Sequence, residues 1–155
     1  KRSPKAFKKF EPECTTNALQ QCSREQVVNA YDNTIVYTDH VLASNIDWLK
    51  AHEAQWSPAL MYLSDHGESL GENNLYLHGL PYRFAPDVQK HIPWVFWLSP
   101  QFQQESGISL KCLARLRDEH VSQDNYFHTV LGLLGVRTKV YDPRRDMGVM
   151  CQGAG

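Results

Sequence analysis

A regular spacing of weakly polar and apolar side chains predicts a long helix early in the chain. They recur at steps of three and four residues, which gives one stripe along about seven or eight helical turns: Val28, Tyr31, Ile35, Thr38, Leu42, Ile46 and Leu49. Ser23 and Gln26 have the spacing of a capping box, in which each side chain hydrogen-bonds the other residue's backbone N–H. The predicted helix therefore begins after Ser23 and ends near His52.

Two short apolar runs follow, and each has the length of a strand that is covered on both faces. The first run is 59–63 and the second is 92–98. Pro93 cannot donate to a β-ladder, so it is expected at the start or the edge of its strand. The connection 65–91 is polar and rich in glycine and proline, with a short helix predicted at Pro86. A connection of this length is usually functional or disordered.

The last part of the chain predicts one more helix and one more strand. Ser122 is a helix N-cap, the helix continues through Leu134, and Gly135 ends it. Residues 138–141 form the predicted strand. Helices that alternate with buried strands predict an α/β layered domain, with a largely parallel sheet flanked by helices.

Composition and charge exclude several classes of protein. The 155 residues are 42% hydrophobic and 21% charged, with 16 Lys and Arg against 17 Asp and Glu. This composition favours one globular core, and the near-neutral charge offers no electrostatic footprint for nucleic acid. The longest apolar run, 94–98, is far shorter than the ~20 residues of a membrane-spanning helix. Because the sequence lacks both an initiator Met and a signal peptide, we expect the gene product to begin earlier.

Side chains that could bind a metal or act in catalysis lie directly after the first predicted strand. Asp65, His66 and Glu68 lie within four positions, and α/β proteins bind ligands at the carboxyl ends of their strands. Gly67 is expected to turn the chain through positive φ, so that Asp65 and His66 converge. A carboxylate beside an imidazole suits Zn²⁺ or Mn²⁺. The alternative is a histidine that caps the strand end and pairs with a carboxylate.

His78 follows in the same polar loop, twelve residues after His66. We expect it to return to the metal cleft, where it would bind a phosphate or act as a general acid; a surface histidine is the alternative. The other histidines show no ligand spacing and are assigned no function: His40, His52, His91, His120 and His128. The tryptophans are predicted to be core or sheet-covering residues: Trp48, Trp56, Trp94 and Trp97.

The four cysteines offer two candidate pairs. Cys14 and Cys22 bracket a polar segment with the length of a disulfide-closed surface loop. A bond there would indicate an oxidising compartment, whereas two free thiols would fit a cytosolic protein. Cys112 and Cys151 are the second candidate pair, although their spacing gives no geometric signal.

Several motifs together resemble the bacterial phosphoethanolamine transferases, which modify lipid A and include enzymes of polymyxin resistance. The motifs extend over most of the chain, at 30–33, 62–73, 76–81, 85–86 and 124–131. The resemblance implies an alkaline-phosphatase or sulfatase-like fold. It also implies that residues 1–155 are the C-terminal half of one periplasmic catalytic domain, tethered to the inner membrane by helices that precede it.

The same resemblance implies a zinc-dependent, two-step transfer. A threonine takes phosphoethanolamine from phosphatidylethanolamine and passes it to a lipid A phosphate. Asp65 and His66 match the zinc ligands, Glu68 matches an acidic residue of the substrate site, and His78 matches a catalytic histidine that contacts the phosphoryl group. Cys14 and Cys22 match a disulfide of the family.

The family's threonine, a glutamate ligand and a second histidine would lie upstream of Lys1. Thr129 and Thr138 are not substitutes for the threonine, because both fall in segments predicted as regular structure. We therefore expect the isolated chain to be an inactive part of a larger enzyme.

Two alternatives remain open. One keeps the fold but gives a sulfatase-like hydrolase or a phosphoglycerol transferase, and the other is a non-catalytic remnant that binds metal or lipid headgroups. The expected partners are the phospholipid donor, the lipid A acceptor and the remainder of the same catalytic domain. Nucleic acid is not expected as a partner, and the protein is expected to be a monomer.

Overall fold

The structure is a computed structural model that describes residues 3–153. The chain divides into two compact units. The first comprises the chain up to Trp48 together with Met61–Val95, and the second comprises Leu49–Leu60 and the chain from Phe96 onward. Within the described part of the chain, none of the helices combines the length and the hydropathy that crossing a bilayer requires.

The long helix α1 spans Arg24–Ala51, which confirms the predicted helix. Its N-terminus carries the predicted capping box: Gln26 N donates to Ser23 Oγ at 3.2 Å, and Ser23 N donates to Gln26 Oε1 at 2.9 Å. Trp48 and Trp56 were predicted to be core or sheet-covering residues, but at 53% and 52% exposure neither lies in the core.

A buried asparagine fastens the N-terminal segment to α1. The side-chain oxygen of Asn33 accepts from the N–H groups of Lys9 and Phe10, and its amide donates to the Phe10 carbonyl. Asn33 is 0% exposed, so these bonds satisfy an amide that has no access to water. The segment continues to the disulfide Cys14–Cys22, with 5.7 Å between the Cα atoms, which confirms this predicted pair.

Strands β1 (Ala59–Leu63) and β4 (Trp94–Leu98) confirm both predicted strands and pair in one sheet. Two backbone hydrogen bonds give their relative direction: Ser64 N donates to Pro93 O, and Ser99 N donates to Pro58 O. The end of β1 thus lies beside the start of β4, so the two strands are antiparallel.

The sequence predicted a largely parallel sheet, whereas the β1–β4 pair in the described part of the chain is antiparallel; the α/β class is confirmed. Parallel neighbours need a crossover connection, usually a helix in a connection of a dozen or more residues. Between β1 and β4 the only regular helix longer than a single 3₁₀ turn is α2, Asp87–Lys90, which has four residues. It follows Pro86 and confirms the short helix predicted there.

The rest of this connection contains a hairpin that the sequence did not predict. Strand β2 (Ser69–Leu70) pairs antiparallel with β3 (Tyr76–Leu77), and Ser69 lies opposite Leu77. The turn between them includes Asn73 and Asn74 at φ 53° and 60°. Asparagine tolerates this left-handed region better than most residues, which suits a tight turn.

The second unit contains several helices joined by turns and irregular segments. Helix α3 (Pro100–Ser106) and helix α4 (Leu110–Arg115) were not predicted, whereas α5 (Gln123–Leu133) confirms the helix capped by Ser122. The strand predicted at 138–141 is wrong. This segment is a turn, because Tyr141 N donates to Thr138 O and the Tyr141 hydroxyl donates to Asp146.

Two buried polar side chains join α5 to the last helix, α6 (Met147–Met150). Thr129 Oγ1 donates to Asn125 O and accepts from Met147 N, so its hydroxyl is engaged in helix packing. Asp146 accepts from the Tyr141 hydroxyl at 2.6 Å and from Gly148 N at 2.7 Å.

A disulfide adds a covalent link in the same unit. It joins Cys112 of α4 to Cys151, which follows α6, with 5.5 Å between the Cα atoms. The second candidate pair is therefore confirmed, and all four cysteines are paired.

Gly132 tests this packing. An added Cβ would come within 1.8 Å of Asp146 Oδ2 and 2.8 Å of its Cγ. Gly132→Ala should therefore lower the free energy of unfolding by about 1–3 kcal/mol, although the same change inside an unhindered helix stabilises by up to ~1 kcal/mol. Chemical denaturation measures this. The control is Leu134→Ala, because Leu134 is 72% exposed. Its free energy of unfolding should stay within ~0.5 kcal/mol of that of the unmodified protein. Equal losses of stability in the two variants would contradict the close contact between Gly132 and Asp146.

Candidate functional site

The chain turns as it leaves β1, and the turn brings Asp65 and His66 together as predicted. Ser64 Oγ donates to His66 O at 2.9 Å, and His66 N donates to Asp65 Oδ1 at 3.1 Å. Asp65 Oδ2 lies 3.7 Å from His66 Nε2. The Asp65 side chain is 88% exposed and the His66 side chain 37% exposed. The two side chains therefore do not lie on opposite sides of the strand.

Gly67 serves this turn for a different reason from the predicted one. Its φ lies outside the positive region, so the expectation of a left-handed turn at this residue is wrong. Instead, a Cβ at this position would lie 2.0 Å from the backbone oxygen of Val88. Gly67 N donates to Gln89 O at 3.0 Å. The absence of a side chain lets the loop lie directly against α2.

The hairpin brings Glu68 and His78 together. Ser69 pairs with Leu77, and Glu68 and His78 directly flank this last pair of the ladder. Glu68 Oε1 lies 3.0 Å from His78 Nδ1, and the ring centroids of His66 and His78 are 3.7 Å apart. His78 therefore returns to the cluster, as the sequence predicted.

Hydrogen-bond acceptors determine which nitrogen of each ring carries the proton. His66 Nδ1 lies 3.0 Å from the Gly67 carbonyl, which can only accept. His78 Nδ1 faces the Glu68 carboxylate in the same way. Each neutral ring thus carries its proton on Nδ1 and keeps the lone pair of Nε2 for another ligand. Metal-binding histidines commonly have this arrangement.

The cluster fits a divalent cation. Potential ligand atoms of His66, Glu68 and His78 all lie within 4.8 Å of one another. Glu68 Oε2 is buried and has no hydrogen-bond partner among the described residues. A carboxylate oxygen removed from water is costly unless a positive charge lies close to it. Two imidazoles with a carboxylate form a donor set that zinc and related metals accept.

Several residues around the cluster were not identified from the sequence. Burial raises the pKa of the Tyr31 hydroxyl of α1, and the nearby charge of Glu68 raises it further. Glu72 accepts from Leu70 N at 2.7 Å and from Arg24 at 3.2 Å. Backbone N–H donors, at Glu72 itself and at Leu70, lower the pKa of Glu72, and Arg24 lowers it further.

No sequence signal identified these residues as neighbours of the site. In the sequence, Tyr31 is only one position of the apolar stripe of α1 and of a family motif. The Arg24–Glu72 pair joins residues 48 positions apart. Of the remaining histidines, His128 lies in the second unit, where it is buried and accepts from Asp142 N at 3.0 Å. This contact explains its position without a metal.

Comparison with protein families gives a match over most of the chain. The sequence model of the family described as Sulfatase matches residues 1–136. Phosphoethanolamine transferase EptA of Escherichia coli (strain K12) is 49% identical over 152 residues, which are 97% of this chain and 28% of that protein. Phosphatidylethanolamine transferase Mcr-1 of Escherichia coli is 46% identical over 65% of this chain and 19% of its own length. The chain therefore spans less than a third of these relatives.

Solved structures give the same result. The soluble domain of lipooligosaccharide phosphoethanolamine transferase A from Neisseria meningitidis has a TM-score of 0.91 and 42% identity, over 97% of this chain and 46% of that one. The C-terminal periplasmic domain of phosphoethanolamine transferase EptC from Campylobacter jejuni has a TM-score of 0.83 and 46% identity, over 95% of this chain and 46% of that one. The sulfatase-like α/β fold is therefore confirmed.

Gly67→Ala should disturb the cluster through the backbone. The new Cβ would meet the Val88 carbonyl, which cannot rotate away as a side chain can. We expect a loss of about 1–3 kcal/mol in stability and a smaller rise in melting temperature when a divalent metal is added. Thermal unfolding with and without metal measures both effects. The control is Ser44→Ala, on an exposed part of α1, which should change neither the stability nor the rise in melting temperature with metal. An unchanged rise in Gly67→Ala would contradict the close contact between Gly67 and Val88.

Proposed function

The chain belongs to the sulfatase family, and we propose that it is part of the catalytic domain of a phosphoethanolamine transferase. The proposed reaction moves phosphoethanolamine from phosphatidylethanolamine to a phosphate of lipid A. One observation carries the proposal: Asp65, His66, Glu68 and His78 converge in a chain that is about half identical to curated phosphoethanolamine transferases.

The proposed cofactor is zinc, with Asp65 and His66 as the ligands from this chain. Two ligands at 2.0–2.2 Å from a tetrahedral ion lie roughly 3.3–3.6 Å apart. The separation of 3.7 Å between Asp65 Oδ2 and His66 Nε2 is close to this value. When bound, zinc would polarise a phosphoryl oxygen. A tetrahedral site needs more than two ligands, so the proposal requires others from the rest of the protein.

Glu68 and His78 have a separate role in this proposal. Glu68 accepts a hydrogen bond from the Nδ1–H of His78, which orients the ring and leaves Nε2 for the substrate. With a proton on Nε2, His78 can contact a phosphoryl oxygen or hand that proton to the leaving diacylglycerol alkoxide. The carboxylate of Glu68 stabilises the positively charged ring until the proton is transferred.

The proposed location is the periplasmic face of the inner membrane, where both lipids are accessible. Disulfides persist in oxidising compartments such as the periplasm, and the chain contains two, Cys14–Cys22 and Cys112–Cys151. The proposed partners are the two lipids and the rest of the same domain. The inactivity of the isolated chain and its monomeric state remain predictions.

A hydrolase is the second candidate, because the family whose sequence model matches is described as Sulfatase. The two candidates differ in the final acceptor. A hydrolase would release phosphoethanolamine into water, whereas a transferase would join it to lipid A. Analysis of the products from a labelled donor lipid distinguishes the two, and release of free phosphoethanolamine alone would contradict the transferase.

His78→Gln, in the full-length protein that contains this chain, should lower turnover by ~10²–10⁴-fold. Zinc content should stay unchanged, because His78 acts on the substrate in this proposal. Transfer from a labelled lipid and elemental analysis measure the two quantities. The matched control is His91→Gln, an exposed histidine of the same unit, which should leave both unchanged. Loss of zinc in His78→Gln would contradict the assigned role, and so would unchanged turnover.

A second pair of variants tests the zinc ligands. Asp65→Asn should weaken zinc binding in the full-length protein by at least about tenfold, whereas Glu68→Gln should change it little, as measured by competition with a chelator. The control is Asp87→Asn, whose side chain is 96% exposed and pairs with Lys90. If zinc binding instead weakened in Glu68→Gln and stayed unchanged in Asp65→Asn, Asp65 would not be a ligand. The ion would then be assigned to His66, Glu68 and His78.

A further inference from the structure

One residue of α2 contacts the chain on both sides of Glu68. The backbone oxygen of Gln89 accepts from Gly67 N at 3.0 Å, and its side-chain Nε2 donates to Ser69 Oγ at 2.8 Å. Gly67 and Ser69 are the immediate neighbours of Glu68 in the sequence. Gln89 is thus hydrogen-bonded to the residue before Glu68 and to the residue after it.

These contacts are buried. Gln89 is 8% exposed and Ser69 is 1% exposed, so water is excluded from the side-chain hydrogen bond. When one partner of such a bond is removed, the other remains unsatisfied, at a cost of roughly 1–3 kcal/mol. Gly67 adds a steric constraint, since the loop lies so close to Val88 that no side chain fits there.

The hairpin needs this external support. Strands β2 and β3 have two residues each, and a two-stranded hairpin is marginally stable at best when isolated in water. The hairpin alone would therefore hold Glu68 and His78 only loosely. Helix α2 supplies this support through Gln89, whose own N–H closes the first turn of the helix by donating to Pro86 O at 3.0 Å.

We propose that Gln89 is a positioning residue that holds Glu68 in the orientation needed for its hydrogen bond to His78. It acts through Gly67 and Ser69 and touches neither the substrate nor a metal. This inference rests on the proposed function for the roles of Glu68 and His78. The hydrogen bonds on which it is based do not depend on that function.

The test uses Gln89→Met in the full-length protein, because methionine keeps the length of the side chain and removes the donor. We expect kcat for phosphoethanolamine transfer to fall by about 10- to 100-fold with KM for the donor lipid unchanged, since misplaced groups affect the reaction rather than binding. Ser69→Ala should give the same loss. The double variant should lose no more than either single variant, because both remove the same bond.

Gln103→Met is the matched control. Gln103 is a half-buried glutamine whose side chain donates one hydrogen bond, to Leu98 O at 3.3 Å, and it lies in the second unit. The variant Gln103→Met should leave kcat for phosphoethanolamine transfer unchanged. A loss of kcat in Gln103→Met equal to that in Gln89→Met would overturn the proposal, and so would additive losses in the double variant.

A second readout needs no substrate. In the metal-free protein, amide hydrogen exchange over residues 66–78 should be faster in Gln89→Met and unchanged in Gln103→Met. Unchanged exchange in folded Gln89→Met would overturn the positioning role. If the unmodified protein transfers no phosphoethanolamine, the proposed function fails, while the exchange measurement still tests Gln89.

Discussion

The register of a very short hairpin determines the geometry of the candidate site. Glu68 and His78 flank the last pair of the ladder, Ser69–Leu77, and their side chains are 3.0 Å apart. His66 joins them because the chain turns directly after β1, and Gly67 lets that turn lie against α2. A shift of the register by one residue would move His78 away from Glu68, and their 3.0 Å contact would be lost.

The surrounding structure of the first unit fixes this hairpin at several points. Gln89 is hydrogen-bonded to Gly67 and Ser69, the two neighbours of Glu68, and Arg24 at the start of α1 contacts Glu72 in the turn. Helix α1 is in turn fastened to the N-terminal segment through the buried Asn33. The site thus depends on polar contacts between segments that are far apart in the sequence.

Local patterns in the sequence predicted the helices and strands that depend on interactions between neighbouring residues. The capping box at Ser23 and the stripe of α1 fixed one helix, and two apolar runs gave β1 and β4. The antiparallel pairing was missed, because strand direction depends on the path of the connection and not on the strands themselves. Strands as short as β2 and β3 leave no periodicity to detect.

The sequence also predicted which site residues converge, because Asp65, His66, Glu68 and His78 lie in one loop between two strands. It did not predict the contacts that hold them. The Gln89–Ser69 bond joins residues twenty positions apart, and neither residue has a distinctive spacing. Gly67 was recognised as special, but the close approach of the Val88 carbonyl depends on tertiary structure.

The arrangement of the candidate site is tested most directly by the tautomers of His66 and His78. Long-range ¹H–¹⁵N correlation spectra of the imidazole nitrogens, recorded on the metal-free protein under alkaline conditions in which the rings are neutral, report which nitrogen carries the proton. We expect a proton on Nδ1 of both rings, where it faces Gly67 O in His66 and Glu68 in His78. A proton on Nε2 of either ring would contradict the arrangement of the site.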